Sequence, residues 1–157
     1  GGWGEQRTGI NYNIMRYSDL LLMSAEIDVE IGSLEDARAK VNQVRARAAA
    51  STPVDGTGAT TYNVAEYTAA WTDQATARKA VRFERRLELA MEGQRFFDLK
   101  RWGVLPATIN AYVAKEAVTI ANFGTKANTF NDYNKDLCIP LGAIDQSLNT
   151  LVQNPGY

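Results

Sequence analysis

The chain has 157 residues, with 17 basic against 18 acidic side chains, no histidine and one cysteine, Cys138. This balance excludes the strong positive field that gathers nucleic acid or an anionic membrane surface. The absence of histidine excludes Ser-His-Asp and Cys-His nucleophile systems and the commonest transition-metal ligand, so we expect neither a metal site nor a cofactor. No stretch approaches the ~20 apolar residues of a membrane span.

The first predicted element is a helix over residues 15–31, because apolar residues recur there at helical spacing. Its predicted core stripe is Tyr17, Leu20, Leu21, Ala25 and Val29. Gly32 stands where a left-handed C-terminal cap would end the helix. A capping-box signal starts at Ser33, and the apolar spacing then continues at Ala37, Val41, Val44 and Ala48. The two helices are expected to form a hairpin with a tight turn.

A loop and a long helix are predicted next. Residues 50–63 are rich in Thr and Ser and contain Pro53, which indicates a loop. Thr72 is expected to cap a helix that runs through about Glu92 and is closed by Gly93. The predicted apolar stripe of this helix is Ala80, Phe83, Leu87, Ala90 and Met91.

The remaining elements are shorter. A helix containing Phe96, Phe97 and Leu99 is expected to end at Gly103, and another is predicted from about Pro106 to Glu116. Residues 120–136 are aperiodic, and residues 139–141 and 153–157 indicate extended or turn segments. Strand-type alternation is almost absent, so we predict an all-α fold of antiparallel helix hairpins in a tetratricopeptide-like arrangement with long loops.

Three carboxylates on the long helix need partners. Glu84, Glu88 and Glu92 stand four residues apart, and like charges at this spacing destabilise an isolated helix by a few tenths of a kcal/mol per pair. The candidate partners are Arg16, Arg45, Arg47 and Arg95. Paired carboxylates also serve glycoside hydrolysis, but a general acid needs a raised pKa, which neighbouring arginines would lower. We therefore predict a structural ion network in preference to a glycosidase site.

Two other groups of residues are candidate binding sites. Tyr62, Tyr67 and Trp71 follow the loop and are candidates for stacking on sugar rings, with packing of the loop onto the long helix as the alternative. Residues 132–136 alternate oxygen ligands like the start of a calcium loop. Leu137 stands where that loop needs Gly, and Ala143 where it needs a bidentate Glu, so we expect an ordinary polar loop.

Four blocks resemble the SusD/RagB-like outer-membrane nutrient-binding family. They are residues 15–26, 42–48, 84–103 and 153–157, the last reading Gln-Asn-Pro-Gly-Tyr. Their order matches the family, and the departures are mild, such as Ser24 for Tyr and Met91 for an aromatic residue. The resemblance implies that the charged residues of the blocks are scaffold. The expected structural ion network is Arg16, Glu26, Arg45, Arg47, Glu84, Arg85, Glu88, Glu92, Arg95, Asp98 and Arg101.

The resemblance also implies a place in the cell. Such proteins are lipid-anchored on the outer face of a Gram-negative outer membrane and hand oligosaccharides to a TonB-dependent, SusC-like transporter. The resemblance also implies that this protein is not an enzyme. The chain is expected to be one helical domain, residues 1–157, that forms the C-terminal part of a longer protein whose lipid anchor lies outside it. Two alternatives stay open, namely peptide uptake without glycan binding and a protein-protein interaction module.

Overall fold

The computed structural model describes residues 14–52, 62–123, 129–148 and 150–157. These ranges contain helices and a 3-10 turn, Asp132–Lys135, and no strand. The helices are α1 (Tyr17–Ile31), α2 (Leu34–Ala49), α3 (Gln74–Glu88), α4 (Gln94–Arg101), α5 (Leu105–Thr119) and α6 (Leu141–Gln146). The all-α prediction is confirmed. Most of the predicted loop at residues 50–63 lies outside the described residues.

The chain divides into two compact units, Gly1–Glu92 and Gly93–Tyr157. In the first unit, α1, α2 and α3 pack against one another. Their common core is built from small and aliphatic side chains, namely Leu22, Ala25, Val29, Ala37, Val41, Val44, Ala77 and Val81. Leu21, Leu34, Tyr67 and Trp71 cover its edge. Removing these apolar surfaces from water is the main stabilising contribution to the unit.

The turn between α1 and α2 depends on Gly32. This residue has φ 86°, a left-handed conformation in which an L side chain is strained, and the Ser33 amide bonds back to the Asp28 carbonyl at 2.8 Å. The pattern is a Schellman-type cap, as the sequence predicted. The predicted capping box is wrong: Ser33 precedes α2, but its side chain makes no capping hydrogen bond. Its ψ of 63° departs from the extended geometry that aims a hydroxyl at the helix amides.

The core faces of α1 and α3 differ from the predicted stripes. Ala25 and Val29 are buried as predicted, but Tyr17 and Leu20 are exposed and Leu22 takes their place. On α3 the buried positions are Ala77, Val81, Glu84 and Arg85, whereas the predicted Phe83, Leu87 and Met91 face solvent. The physical reason is that buried charges need partners, so each helix is rotated to pair its charged residues.

The ends of α3 also differ from the prediction. Its N-cap is Asp73 and not Thr72, and the Asp73 carboxylate accepts the amides of Ala75 and Thr76. These bonds hold the pKa of Asp73 below its ordinary value. The helix ends at Glu88 instead of about Glu92, and Met91 then adopts a positive φ of 67°.

The second unit begins with α4 and α5, which bury Leu99 and Leu105. Pro106 lies in the first turn of α5, where its missing amide costs no hydrogen bond, and α5 extends slightly beyond the predicted limits. Residues 139–141, predicted as an extended or turn segment, lead into α6, which starts at Leu141 directly after Pro140. Among the described residues, no helix is both long and apolar enough to cross a membrane.

Candidate functional site

The carboxylate of Glu84 lies buried where α2 meets α3. Arg45 of α2 donates from Nη1 to Glu84 Oε2 at 2.6 Å. Water screens this ion pair little, because only 5 % of the Glu84 side chain is exposed. The Arg45 guanidinium also covers the Tyr67 ring, 4.8 Å from its centroid. Arg45 therefore ties α2 both to α3 and to the segment that precedes α3.

Glu88, the last residue of α3, bonds to one arginine near the end of α2 and to another that precedes α1. Arg47 of α2 donates to both carboxylate oxygens at 2.7 Å. Arg16, which precedes α1, donates to the same carboxylate and also to the Glu88 carbonyl oxygen. Carbonyls in the last turn of a helix lack amide partners within that helix. Arg16 therefore caps the C-terminus of α3, where the helix dipole favours a cation.

Glu92 lies beyond the end of α3 and not on the helix face that its spacing predicted. It nevertheless meets Arg16, whose Nε donates to both Glu92 oxygens at 3.1 and 3.0 Å and whose Nη2 donates at 2.6 Å. These hydrogen bonds hold the pKa of Glu92 below its ordinary value and raise the pKa of Arg16. One guanidinium thus joins the end of α3 to the turn that follows it.

Arg85, a member of the predicted network, joins α3 to α1 by pairing with Asp19, which was not predicted as a partner. Arg85 donates from Nη1 to Asp19 Oδ1 at 2.8 Å, and the two side chains are 1 % and 6 % exposed. Lys40 with Asp28 and Arg78 with Glu30 make further links between helices of this unit. The available signal was Asp19 itself, an acidic residue directly before the apolar run at residues 20–23, because a charge beside such a run needs a partner when it is buried.

The predicted network also includes Glu26 of α1 and, in the second unit, Arg95, Asp98 and Arg101. Glu26 is half-buried on α1. In the second unit, Arg101 donates to the buried Asp98 carboxylate at 3.0 and 2.8 Å. The guanidinium groups of Arg95 and Arg101 lie 5.7 and 5.0 Å from the Trp102 ring centroid. Arg95, a candidate partner for the glutamates, thus lies near Trp102.

The three candidate sugar-stacking aromatics have different surroundings. The backbone of Tyr67 is held by the Asn42 side chain, which accepts its amide at 2.8 Å and donates to its carbonyl at 3.0 Å. Tyr67 and Trp71 meet edge to face, with ring centroids 5.4 Å apart, and both pack against the core. Tyr62 is 37 % exposed. Among the three, Tyr62 offers the more accessible side chain to a ligand.

A cleft of about 340 Å³ opens between the start of α1 and the end of α2. It is lined by Arg16, Tyr17, Ser18, Leu21, Gln43, Val44 and Arg47. This volume is at the lower end of ligand pockets, about 300–1,000 Å³. Arg16 and Arg47 already donate to Glu88, so the cleft offers apolar walls more than unused charge. No motif in the sequence predicts this cleft as a site.

The segment at residues 132–136, which resembles the start of a calcium loop, contains the 3-10 turn. Lys135 bonds to Asp132 and Lys100 bonds to Asp136, each at 2.8 Å. The Lys100 ammonium holds the pKa of Asp136 below its ordinary value. Within the described ranges, no three His, Cys, Asp or Glu side chains are grouped so that they could hold a metal ion.

The Gln-Asn-Pro-Gly-Tyr segment, residues 153–157, is held in place by hydrogen bonds and a ring contact. Gln153 accepts the Ile139 amide at 2.7 Å and donates to the Ile139 carbonyl at 2.9 Å, as a neighbouring strand would. The Tyr157 hydroxyl donates to the Asp136 carbonyl at 2.7 Å, and its ring meets Tyr133 edge to face. At Gly156 an added Cβ would lie 2.5 Å from the Tyr133 ring, so a larger residue does not fit. The segment is a structural clasp.

The fold and these contacts define a helical, tetratricopeptide-like scaffold held by arginine–carboxylate pairs. A family model described as the SusD family matches residues 1–157, and the chain belongs to this family. A curated relative, the SusD-like protein P25 of Formosa agariphila, is 29 % identical over 150 residues. The match covers 94 % of this chain and 25 % of that protein.

A solved structure is also similar. A SusD-like protein from Bacteroides fragilis matches with a TM-score of 0.63 and 27 % identity, over 92 % of this chain and 25 % of that one. The chain therefore spans about a quarter of the length of these relatives. The predicted family and the predicted SusD-like fold are confirmed.

Proposed function

We propose that this chain is the helical scaffold of a cell-surface protein that binds oligosaccharide nutrients and delivers them to a SusC-like, TonB-dependent transporter. The protein would act on the external face of a Gram-negative outer membrane, to which a lipid anchor outside this chain would hold it. Family membership over residues 1–157 carries the proposal. SusD-like proteins bind nutrients and are not enzymes, and we propose the same for this one.

The contacts of the glutamates support a scaffold over a glycosidase. Glycoside hydrolysis needs two carboxyl groups that flank the scissile bond of the sugar. Glu84 bonds to Arg45, and Glu88 bonds to Arg16 and Arg47. These carboxylates therefore join helices through arginines and do not face a substrate.

Tyr62 is the proposed ligand contact within this chain. Sugar rings stack on accessible aromatic faces, and Tyr62 is more accessible than the core-packed Tyr67 and Trp71. We expect Tyr67 and Trp71 to position the segment that carries Tyr62. All three aromatic residues would thus serve ligand binding, Tyr62 by direct contact and the other two by positioning it.

Calorimetric titration of the intact protein against an oligosaccharide panel and a peptide panel tests the proposal. We expect an oligosaccharide to bind, Tyr62→Ala to weaken its binding, and Tyr62→Phe to retain it, because the ring face persists. Tight binding of peptides alone would replace the glycan assignment with peptide uptake. Binding of neither class, with a protein partner captured through this chain, would favour an interaction module.

A further inference from the structure

The cleft between α1 and α2 is lined by side chains that helical spacing brings together. Tyr17 and Leu21 stand four residues apart on α1, so they lie on one side of that helix. Gln43 and Arg47 stand four residues apart on α2 and line the cleft from the other helix. Val44, which is 2 % exposed, joins the cleft to the core. The cleft is therefore a feature of the hairpin.

The charges beside the cleft cancel. Arg16 donates to Glu88 and Glu92, and Arg47 donates to Glu88. These two guanidinium groups stand against two carboxylates, so the four groups together carry no net charge that would attract an ion. A charged ligand would also lose hydration without gaining a free counter-ion. The cleft therefore favours an uncharged ligand.

Neutral polar groups are available in the cleft. Gln43 is exposed, and its amide makes no hydrogen bond to the part of the chain that the structure describes. An amide side chain offers both N–H donors and a carbonyl acceptor. The Ser18 hydroxyl accepts from Arg16 at 2.6 Å, which leaves its own proton to donate. Groups that both donate and accept suit a ligand that carries several hydroxyls.

The apolar part of the cleft selects among such ligands. Tyr17 presents a ring that is 71 % exposed, and Leu21 and Val44 add aliphatic surface. A sugar ring has C–H groups that pack on an aromatic face and hydroxyls around its edge. A lipid tail would instead cover Gln43 and Ser18 without giving them hydrogen bonds. The volume of about 340 Å³ suits a short oligosaccharide rather than a long chain.

We propose that this cleft is a second sugar subsite, in which the Tyr17 ring stacks on an uncharged sugar and the Gln43 amide bonds to its hydroxyls. Tyr62 does not line the cleft, so the two contacts are distinct. The inference rests on the proposed oligosaccharide function and adds a contact surface to it. Arg16 and Arg47 stay bonded to the glutamates and shape the cleft without binding the sugar.

Calorimetric titration of the intact protein with a panel of uncharged oligosaccharides tests the subsite. Tyr17→Ala removes the ring, Tyr17→Phe keeps the ring, and Gln43→Ala removes the amide. Tyr112→Ala is the matched control, because Tyr112 is a tyrosine of α5 that is 54 % exposed and lies in the second unit. Circular dichroism and thermal unfolding check that each variant is folded.

We expect Tyr17→Ala to weaken oligosaccharide binding by about tenfold and Gln43→Ala by about fivefold. Tyr17→Phe and Tyr112→Ala should each stay within about twofold of the wild type. Because the sugar carries no charge, the affinity of the wild type should change by less than about twofold between about 0.05 and 0.5 M salt.

The outcomes separate this inference from the proposed function. If Tyr62→Ala weakens binding while Tyr17→Ala and Gln43→Ala leave it unchanged, the cleft is not a subsite and the proposed function stands. If the wild type binds no oligosaccharide, both proposals fail. An affinity for peptides that falls in Tyr17→Ala, or a steep loss of affinity with salt, would overturn the sugar assignment of the cleft.

Discussion

Arg85 and Asp19 illustrate how single residues hold this scaffold together. Both side chains are almost fully buried, and their bond joins α1 to α3. A buried pair adds little over apolar packing when it is intact, but removal of one partner leaves a charge without compensation. Such pairs therefore specify how the helices meet, even where they add little net stability.

Asp19→Asn is expected to destabilise the chain. The change weakens a bond to a guanidinium that is 1 % exposed, and we expect a loss on the order of 3 kcal/mol in the free energy of unfolding, measured by urea titration. Glu35→Gln is the matched control, because Glu35 pairs with Arg38 at the surface and should change the midpoint little. Equal effects of the two changes would contradict the role assigned to Asp19.

Glu92 should contribute to the acid sensitivity of the fold. Its pKa in the folded state is lowered by Arg16, so its stabilising contribution is present above the ordinary value of 4.5 and is lost as pH falls through the folded value. The urea midpoints of unfolding of the wild type and of Glu92→Gln are measured between pH 7 and pH 3. We expect the wild type to have the higher midpoint at pH 7, and the difference between the two midpoints to shrink toward pH 3. A gap that widens on acidification would contradict this sign.

At the scale of the element, the helix boundaries follow local hydrogen bonding more closely than residue spacing. Gly32 ends α1 because its φ of 86° suits glycine, and this end was predictable from the sequence. The start of α3 was less predictable, because Thr72 and Asp73 are both good N-caps and adjacent. The carboxylate of Asp73 accepts two amides, which decides between them.

Asp73→Ala should therefore weaken α3, and Thr72→Ala should not. Loss of the cap leaves two helix amides without their acceptor, and we expect the thermal midpoint to fall by about 2–4 °C. Thermal unfolding followed by circular dichroism measures both variants. If Thr72→Ala has the larger effect, the cap assignment is wrong.

The clasp at the end of the chain makes a local prediction in the second unit. Gln153→Ala removes both side-chain bonds to Ile139, so the amide of Ile139 should exchange with deuterium faster. Gln153→Glu is the control that keeps an acceptor for that amide while removing the donor to the carbonyl. We expect exchange to accelerate by about tenfold in the alanine variant and less in the glutamate variant. Unchanged exchange in the alanine variant would contradict the clasp.

At the scale of the whole molecule, the proposed scaffold and the proposed ligand contact are separable. Glu88→Gln should lower the thermal midpoint of the intact protein, because Arg16 and Arg47 lose a carboxylate partner that is 8 % exposed. Below that midpoint, calorimetry should find its oligosaccharide affinity within about twofold of the wild type. Loss of binding in a fully folded Glu88→Gln protein would place Glu88 in the ligand site instead.

The amino-acid sequence alone predicts the family, the all-α class, the order of α1 to α5 and the positions of several helix ends. These features depend on the spacing of apolar residues, on glycine positions and on motifs of consecutive residues, all of which can be read from the amino-acid sequence. It also indicated that Glu84, Glu88 and Glu92 require arginines, because like charges at helical spacing repel one another.

The buried side of α1 and α3, and the partner of each charged residue, follow from tertiary contacts and not from the sequence pattern. Both helices carry apolar residues on more than one side, so spacing alone allows several rotations about the helix axis. The rotation is set by contacts far apart in sequence, such as Asp19 with Arg85 and Glu88 with Arg16. Because a buried charge needs a partner, only a rotation that brings both members of such a pair together can bury them.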